Sequence, residues 1–196
     1  KHVCFKNSPA HNICVFLGDG AGAAILGPVE DGNGFLSFEL GADGSGGDLL
    51  KLGAGGSVLP VNKIEPGAKE NYIYMAGGEV FKFAVRMMNT VSDRVLEKAG
   101  LTKEDVDFLV PHQANLRIID SAMKRLGLSA DKVVVNLDRY GNMSSASIPI
   151  ALDEAVSEGR IKEGDTLVLV GFGGGLTWGG SVLKWSTKEK GKATNE

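Results

Sequence analysis

Cysteine is scarce: two residues, Cys4 and Cys14, in a chain of 196. That is too few for a disulfide framework and fits a reducing compartment, so a cytoplasmic protein is expected. With three histidines and no clustered ligands at metal spacing, no metal site is expected either. Cys14 lies inside ICVFL and reads as a small core hydrophobe, while Cys4 stays open between a surface thiol and a buried one. Basic excess is also missing. A net charge of −3 leaves no electrostatic footprint for nucleic acid or an anionic membrane. No apolar run reaches the roughly 18 residues of a membrane span. No signal peptide opens the chain, and its first residue is Lys1 rather than Met, which suggests processing or a piece of a longer polypeptide. What remains is globular composition, 43% hydrophobic and 23% charged, enough for one core or for part of something larger.

Against those absences stand alternating apolar runs and glycine loops. His11 to Leu17 reads as a strand, GDGAG as a turn, and AAILGPV as a second strand. FLSFEL is a clear strand in a glycine-rich region. GAGGS and the stretch from Pro60 to Asn71 form a long surface excursion. The strongest helix is Glu79 to Ala99. Val80, Ala84, Met87 or Met88, Val91 and Val95 recur there at helical spacing, and Gly100 closes it. VDFLVP is a short strand, Leu116 to Leu126 a helix ended by Gly127, and KVVVNL a strand. Ser144 to Ser157 is a helix with Pro149 in its first turns. TLVLVGF, GGGLTWGG and SVLKW read as strand, glycine loop and strand, and the polar tail from Ser186 to Glu196 as loose. Strands alternating with helices predict a layered α/β fold, and continuous apolar strands predict a sheet covered on both faces.

Three units share one grammar: DFLV then PHQAN, VVVNL then DRYGNMSS, and TLVLVG then FGGGLTWGG. Ligands in layered α/β folds bind beyond the carboxyl ends of strands, so His112, Asn142 and the loop Phe172–Gly175 are candidates to converge. Each has a plainer reading. His112 could be a satisfied polar residue, Asn142 with Ser144 a turn or helix cap, and the three glycines merely permissive of positive φ. The glycines could equally bring N–H groups to a developing oxyanion. GDGAG resembles a phosphate loop, but no Walker lysine follows it. Arg117 and Arg139 are either solvated charges or anion contacts.

VPHQANLRII, RYGNMSSASIPIALDEA and GFGGGLTWG together resemble β-ketoacyl-acyl-carrier-protein synthase III, a condensing enzyme of the thiolase superfamily. ICVFLGDGAGAAILGPV and MAGGEVFKFAV fit the same family. The resemblance implies a thiolase-like layered αβαβα fold, of which this chain supplies mainly the C-terminal half. Residues 1–27 would close the N-terminal half and cross over, 28–185 form the C-terminal half, and 186–196 a tail. It implies decarboxylative Claisen condensation of an acyl-CoA starter with malonyl carried on acyl carrier protein, the first step of type II fatty acid synthesis. In a Cys–His–Asn triad, His112 and Asn142 would be the present members. The nucleophilic Cys would lie on a missing or separate N-terminal segment, since neither Cys4 nor Cys14 has a matching context. By the same resemblance Gly174 belongs to the oxyanion hole, Phe172 packs beside the triad, Gly77 and Gly78 line the phosphopantetheine tunnel, and Arg117 with Gln113 meets the carrier protein. The implied partners are the N-terminal half, acyl carrier protein and acyl-CoA in a homodimer, with no metal or redox cofactor, no nucleic acid and no membrane. A non-elongating acyltransferase of the superfamily would share most of these motifs. A sugar-kinase-like ATPase would explain the glycine loops but leave His112 and Asn142 without a role.

Overall fold

A computed structural model describes Ile13 and residues 15–187. Cys4, Cys14 and most of the polar tail lie outside the described residues. The strands are β1 (Gly34–Ala42), β2 (Leu50–Leu52), β3 (Ile73–Met75), β4 (Phe108–Pro111), β5 (Thr166–Gly173) and β6 (Thr177–Lys184). The helices are α1 (Gly77–Ala99), α2 (Leu116–Leu126), α3 (Leu137–Tyr140) and α4 (Ser147–Ser157). One sheet has the order β1-β6-β5-β4, with β4 and β5 parallel and the other pairs antiparallel. β2 and β3 form a separate antiparallel ribbon at the two ends of the excursion, which itself carries 3-10 turns at Val61–Lys63 and Lys69–Asn71.

The sheet buries both faces at β4, β5 and the second half of β6, where consecutive positions are apolar. Leu109, Val168, Val170 and Val182 face α1 and α2, meeting Met88, Val91 and Val95 of the first and Ile118, Ile119 and Ala122 of the second. The intervening residues Val110, Leu167 and Leu183 face the other way, onto Ala151 and Ala155 of α4. Packing of α1 on β6 needs a glycine: a Cβ on Gly180 would sit 2.5 Å from Val91 Cγ1. Both long helices end as expected, with Gly100 and Gly127 in the left-handed region at φ of 69° and 70°.

Three expected strands do not form among the described residues, and His11, Asn12 and Cys14 of the first lie outside them. Val15 and Phe16 form a turn, and Leu17 makes only an isolated bridge to Asn142. Residues 23–28 pair with nothing; Ile25 is 101% exposed and Leu26 77%. In KVVVNL only Val133 bridges, to Leu109, before the chain turns into α3. In each case the apolar run lacks a ladder partner among the described residues. The glycine loop after β5 is also shorter than expected, since β5 runs to Gly173 and β6 restarts at Thr177.

Candidate functional site

His112 is the first residue beyond β4, and its backbone N–H donates to the Val170 carbonyl at 2.8 Å, extending the parallel pairing by one bond. Its ring stands edge-on to Phe172 with centroids 5.5 Å apart. Burial there pushes the imidazole from its ordinary 6.5 down to about 4, because the low-dielectric site penalises the cation. The side chain is therefore neutral at pH 7 and carries one N–H donor.

Asn142 is placed by a tight loop after α3. Gly141, at φ 68°, turns the chain. Asn142 N–H then donates to Phe16 O at 2.8 Å, and its carbonyl accepts from Gly18 N–H at 2.9 Å. The side-chain Oδ1 accepts from Ser144 N–H at 2.9 Å, leaving the NH2 as the donor end of the amide. Ser144, the donor to Asn142, adopts a left-handed φ of 55°, a strained conformation for a non-glycine residue.

His112, Asn142, Phe172 and Gly174 line one open cleft of about 1190 Å³, with Leu50 of β2 and Val80 of α1 on its other walls. Gly174 has to be glycine on steric grounds, since a Cβ there would lie 2.9 Å from the Leu50 carbonyl oxygen. Gly77 lines the cleft at the start of α1, but Gly78 does not, and a Cβ on either would meet nothing within 4 Å. Close backbone approach therefore does not account for that pair. Arg117 lies exposed in the first turn of α2, its N–H donating to the cap residue Asn115 at 2.9 Å, and it makes no ion pair among the described residues.

Gln113 corrects the sequence reading. It is fully buried, so its side chain is no part of a docking surface. Its Nε2 donates to Pro111 O and Val134 O at 2.9 and 3.0 Å, and its Oε1 accepts from Asn136 N–H at 3.0 Å. The buried Asn136 and the carboxylate it meets, Glu154, escaped sequence reading, because no spacing rule links residues 18 positions apart. The glycines of GDGAG also have a steric explanation. A Cβ on Gly18 would overlap the Tyr140 carbonyl, and one on Gly20 or Gly22 would come within 2.6 Å of Met143 Sδ or Pro149 Cγ. They let this segment lie flat on the Asn142 loop, which removes the main support for a nucleotide site. Among the described residues no three His, Cys, Asp or Glu gather as a metal-binding group, and no helix is long and apolar enough to cross a membrane.

The family described as "3-Oxoacyl-[acyl-carrier-protein (ACP)] synthase III C terminal" matches residues 96–185, and "3-Oxoacyl-[acyl-carrier-protein (ACP)] synthase III" matches residues 5–44. The chain is 61% identical over 175 residues to a β-ketoacyl-acyl-carrier-protein synthase III of Desulfitobacterium hafniense (strain DSM 10664 / DCB-2), covering 89% of this chain and 53% of that one. It is 59% identical over 182 residues to the enzyme of that name from Clostridioides difficile (strain 630), covering 93% and 55%. The crystal structure of synthase III from Thermus thermophilus superposes with a TM-score of 0.74 at 55% identity, over 83% of this chain and 50% of that one. The Aquifex aeolicus VF5 structure gives 0.68 at 43% identity, over 80% and 46%. The chain thus spans about half the length of the curated relatives it matches.

Proposed function

Since this chain belongs to the β-ketoacyl-acyl-carrier-protein synthase III family and has its thiolase-like α/β fold, we propose that it supplies the decarboxylating side of that enzyme's active site. The observation that carries the reading is the meeting of His112, Asn142 and the Phe172–Gly174 loop in one cleft. In the proposed reaction an acyl group passes from CoA to a Cys thiolate, which this reading places on an N-terminal segment. Malonyl carried on phosphopantetheine then enters. Its carboxylate leaves as CO2, and the electron pair of the broken C–C bond forms an enolate with charge on the thioester oxygen. Neutral His112 and the Asn142 NH2 are donors suited to that oxygen, and neither needs to give up a proton. The enolate carbon attacks the acyl-Cys carbonyl. A tetrahedral oxyanion forms against Gly174 N–H and collapses, expelling the thiolate and releasing the 3-oxoacyl thioester. Phe172 shields the His112 ring from water.

The same reading assigns no metal or redox cofactor, takes acyl-CoA and acyl carrier protein as partners, and leaves Arg117 as a cation for the acidic carrier. It includes the N-terminal half of the synthase, residues 1–27 and 28–185 as the two domain contributions, a homodimer and a cytoplasmic setting. The test is condensation of acyl-CoA with malonyl-carrier protein by the full-length protein. His112→Ala and Asn142→Ala should each lower it by about 10²- to 10³-fold while acyl transfer to Cys persists. Wild-type rates in both variants would refute the assignment. The 196-residue chain alone should not condense; turnover by it would move the nucleophile to Cys4 or Cys14. Intact-mass spectrometry of the preparation shows whether a second polypeptide carrying the N-terminal half accompanies it.

A further inference from the structure

Behind the two donors lies a polar chain to which the reaction gives no role. Gln113 follows His112 directly and is fully buried; of its three side-chain hydrogen bonds, one goes back to Pro111 O and two tie the His112 turn to Val134 and Asn136. Asn136 is fully buried as well. Its carbonyl accepts from Arg139 N–H and Tyr140 N–H, both at 3.1 Å, and so opens α3. Its Nδ2 donates to Glu154 Oε2 at 2.7 Å. Glu154 also accepts from Tyr140 Oη at 2.7 Å and from Arg139 Nη2 at 3.1 Å. Tyr140 leads through Gly141 to Asn142. One path of covalent and hydrogen bonds therefore runs from His112 through Gln113, Asn136, Glu154 and Tyr140 to Asn142.

Burying polar groups costs stability unless they are paired, and an apolar filling of the same volume is often no less stable. What hydrogen bonds add is direction. Apolar side chains tolerate small slides; an amide held at both ends does not. Two N–H donors must reach one enolate oxygen, so their separation has to be fixed to a fraction of an ångström. We infer that Gln113 and Glu154 are positioning residues, which lock the His112 turn and the Asn142 loop at one separation. The inference rests on the reaction proposed above.

The test takes four variants of the full-length protein: Gln113→Leu, Glu154→Leu, Glu154→Gln and Tyr140→Phe. An amide at position 154 can still accept from Asn136 and donate to the Tyr140 oxygen, whereas leucine can do neither. Both leucine variants should lower kcat for malonyl-thioester decarboxylation roughly 10- to 100-fold. KM and the rate of acyl transfer from CoA should stay within about twofold. Glu154→Gln should recover most of the loss, and Tyr140→Phe should fall between. A second readout is independent of activity. The Asn142 and Gly18 amides, which bond to Phe16 O and Asn142 O, should exchange about tenfold faster in Glu154→Leu than in Glu154→Gln, with Val168 of the core unchanged. Equal losses in both half-reactions, or no loss in either, would overturn the inference, as would uniform exchange across the fold. If the wild type itself decarboxylates nothing, the proposed reaction falls and the exchange pattern alone decides the positioning. If Gln113→Leu does not fold, the Glu154 pair decides.

Discussion

His112 should titrate far below an ordinary histidine, and Phe172 should be part of the reason. The imidazole sits at about 4 against 6.5, with burial as the cause. At about 1.4 kcal/mol per tenfold change that gap is worth roughly 3 kcal/mol. The sign follows from proton counting. Between 6.5 and about 4 the unfolded chain holds the proton and the folded one does not. Stability is therefore full above 6.5 and declines as pH falls towards 4. Decarboxylation should likewise show no acid limb near 6.5, because the neutral donor persists down to about pH 5. Phe172→Ala removes the ring standing 5.5 Å from the imidazole and admits water. Recovering about one pH unit of the depression would correspond to roughly 1.4 kcal/mol. The assay is a proton–carbon NMR titration of the His112 ring, assigned with His112→Gln. A wild-type ring titrating near 6.5 would refute the burial account, and an unmoved value in Phe172→Ala would refute the part given to Phe172.

Asn142→Asp keeps the acceptor for Ser144 N–H, so the loop should survive, but it places an anion where the proposed reaction puts the enolate. Condensation should fall at least about 10²-fold with an unchanged melting temperature. Gly174→Ala drives a Cβ against the Leu50 carbonyl and should cost about 1–3 kcal/mol in thermal stability, together with lost acyl-enzyme turnover. Gly18→Ala collides with the Tyr140 carbonyl and should depress condensation more than acyl transfer, because the displaced loop carries Asn142. Arg117→Glu should raise KM for the malonyl carrier about tenfold at low salt, an effect that shrinks as salt screens the surface. KM for acyl-CoA should hold. A salt-independent change would place Arg117 outside the docking surface.

What was legible in the sequence was whatever depends on neighbours along the chain. In α1, Val80, Ala84, Met88, Val91 and Val95 are all buried as their spacing required, and Gly100 and Gly127 stop their helices. The strand-end rule holds for His112 and Phe172, because β4 and β5 are parallel and end side by side, whereas Asn142 reaches the same cleft from the loop after α3. Gln113 is placed on the carrier surface only by the family resemblance, which does not say which way its side chain turns. Its inward turn depends on Val134 O and Asn136 N–H, 21 and 23 residues away, which no local pattern encodes. Ser144 was read as a possible helix cap. In the fold its backbone N–H donates to Asn142 Oδ1 while Ser144 sits at a left-handed φ of 55°, a pairing between backbone and side chain that residue types alone do not specify.

The strands that were expected and did not form have a different cause. Apolar periodicity states which surface has to be covered, while a strand exists only where another backbone completes its ladder. KVVVNL satisfies the first condition and meets the second only at Val133. AAILGPV also satisfies the first and meets the second only at Val29, leaving Ile25 101% and Leu26 77% exposed. β1 shows the same imbalance in milder form, paired to β6 on one edge yet with Phe38 54% and Leu40 79% exposed. Covering Ile25 and Leu26 alone would be worth roughly 3–6 kcal/mol, comparable with the net stability of a small domain. Apolar surface of that worth is larger than a lone exposed side chain and marks this segment as one to be covered. On the reading proposed above, the N-terminal half would supply both that cover and the nucleophilic cysteine.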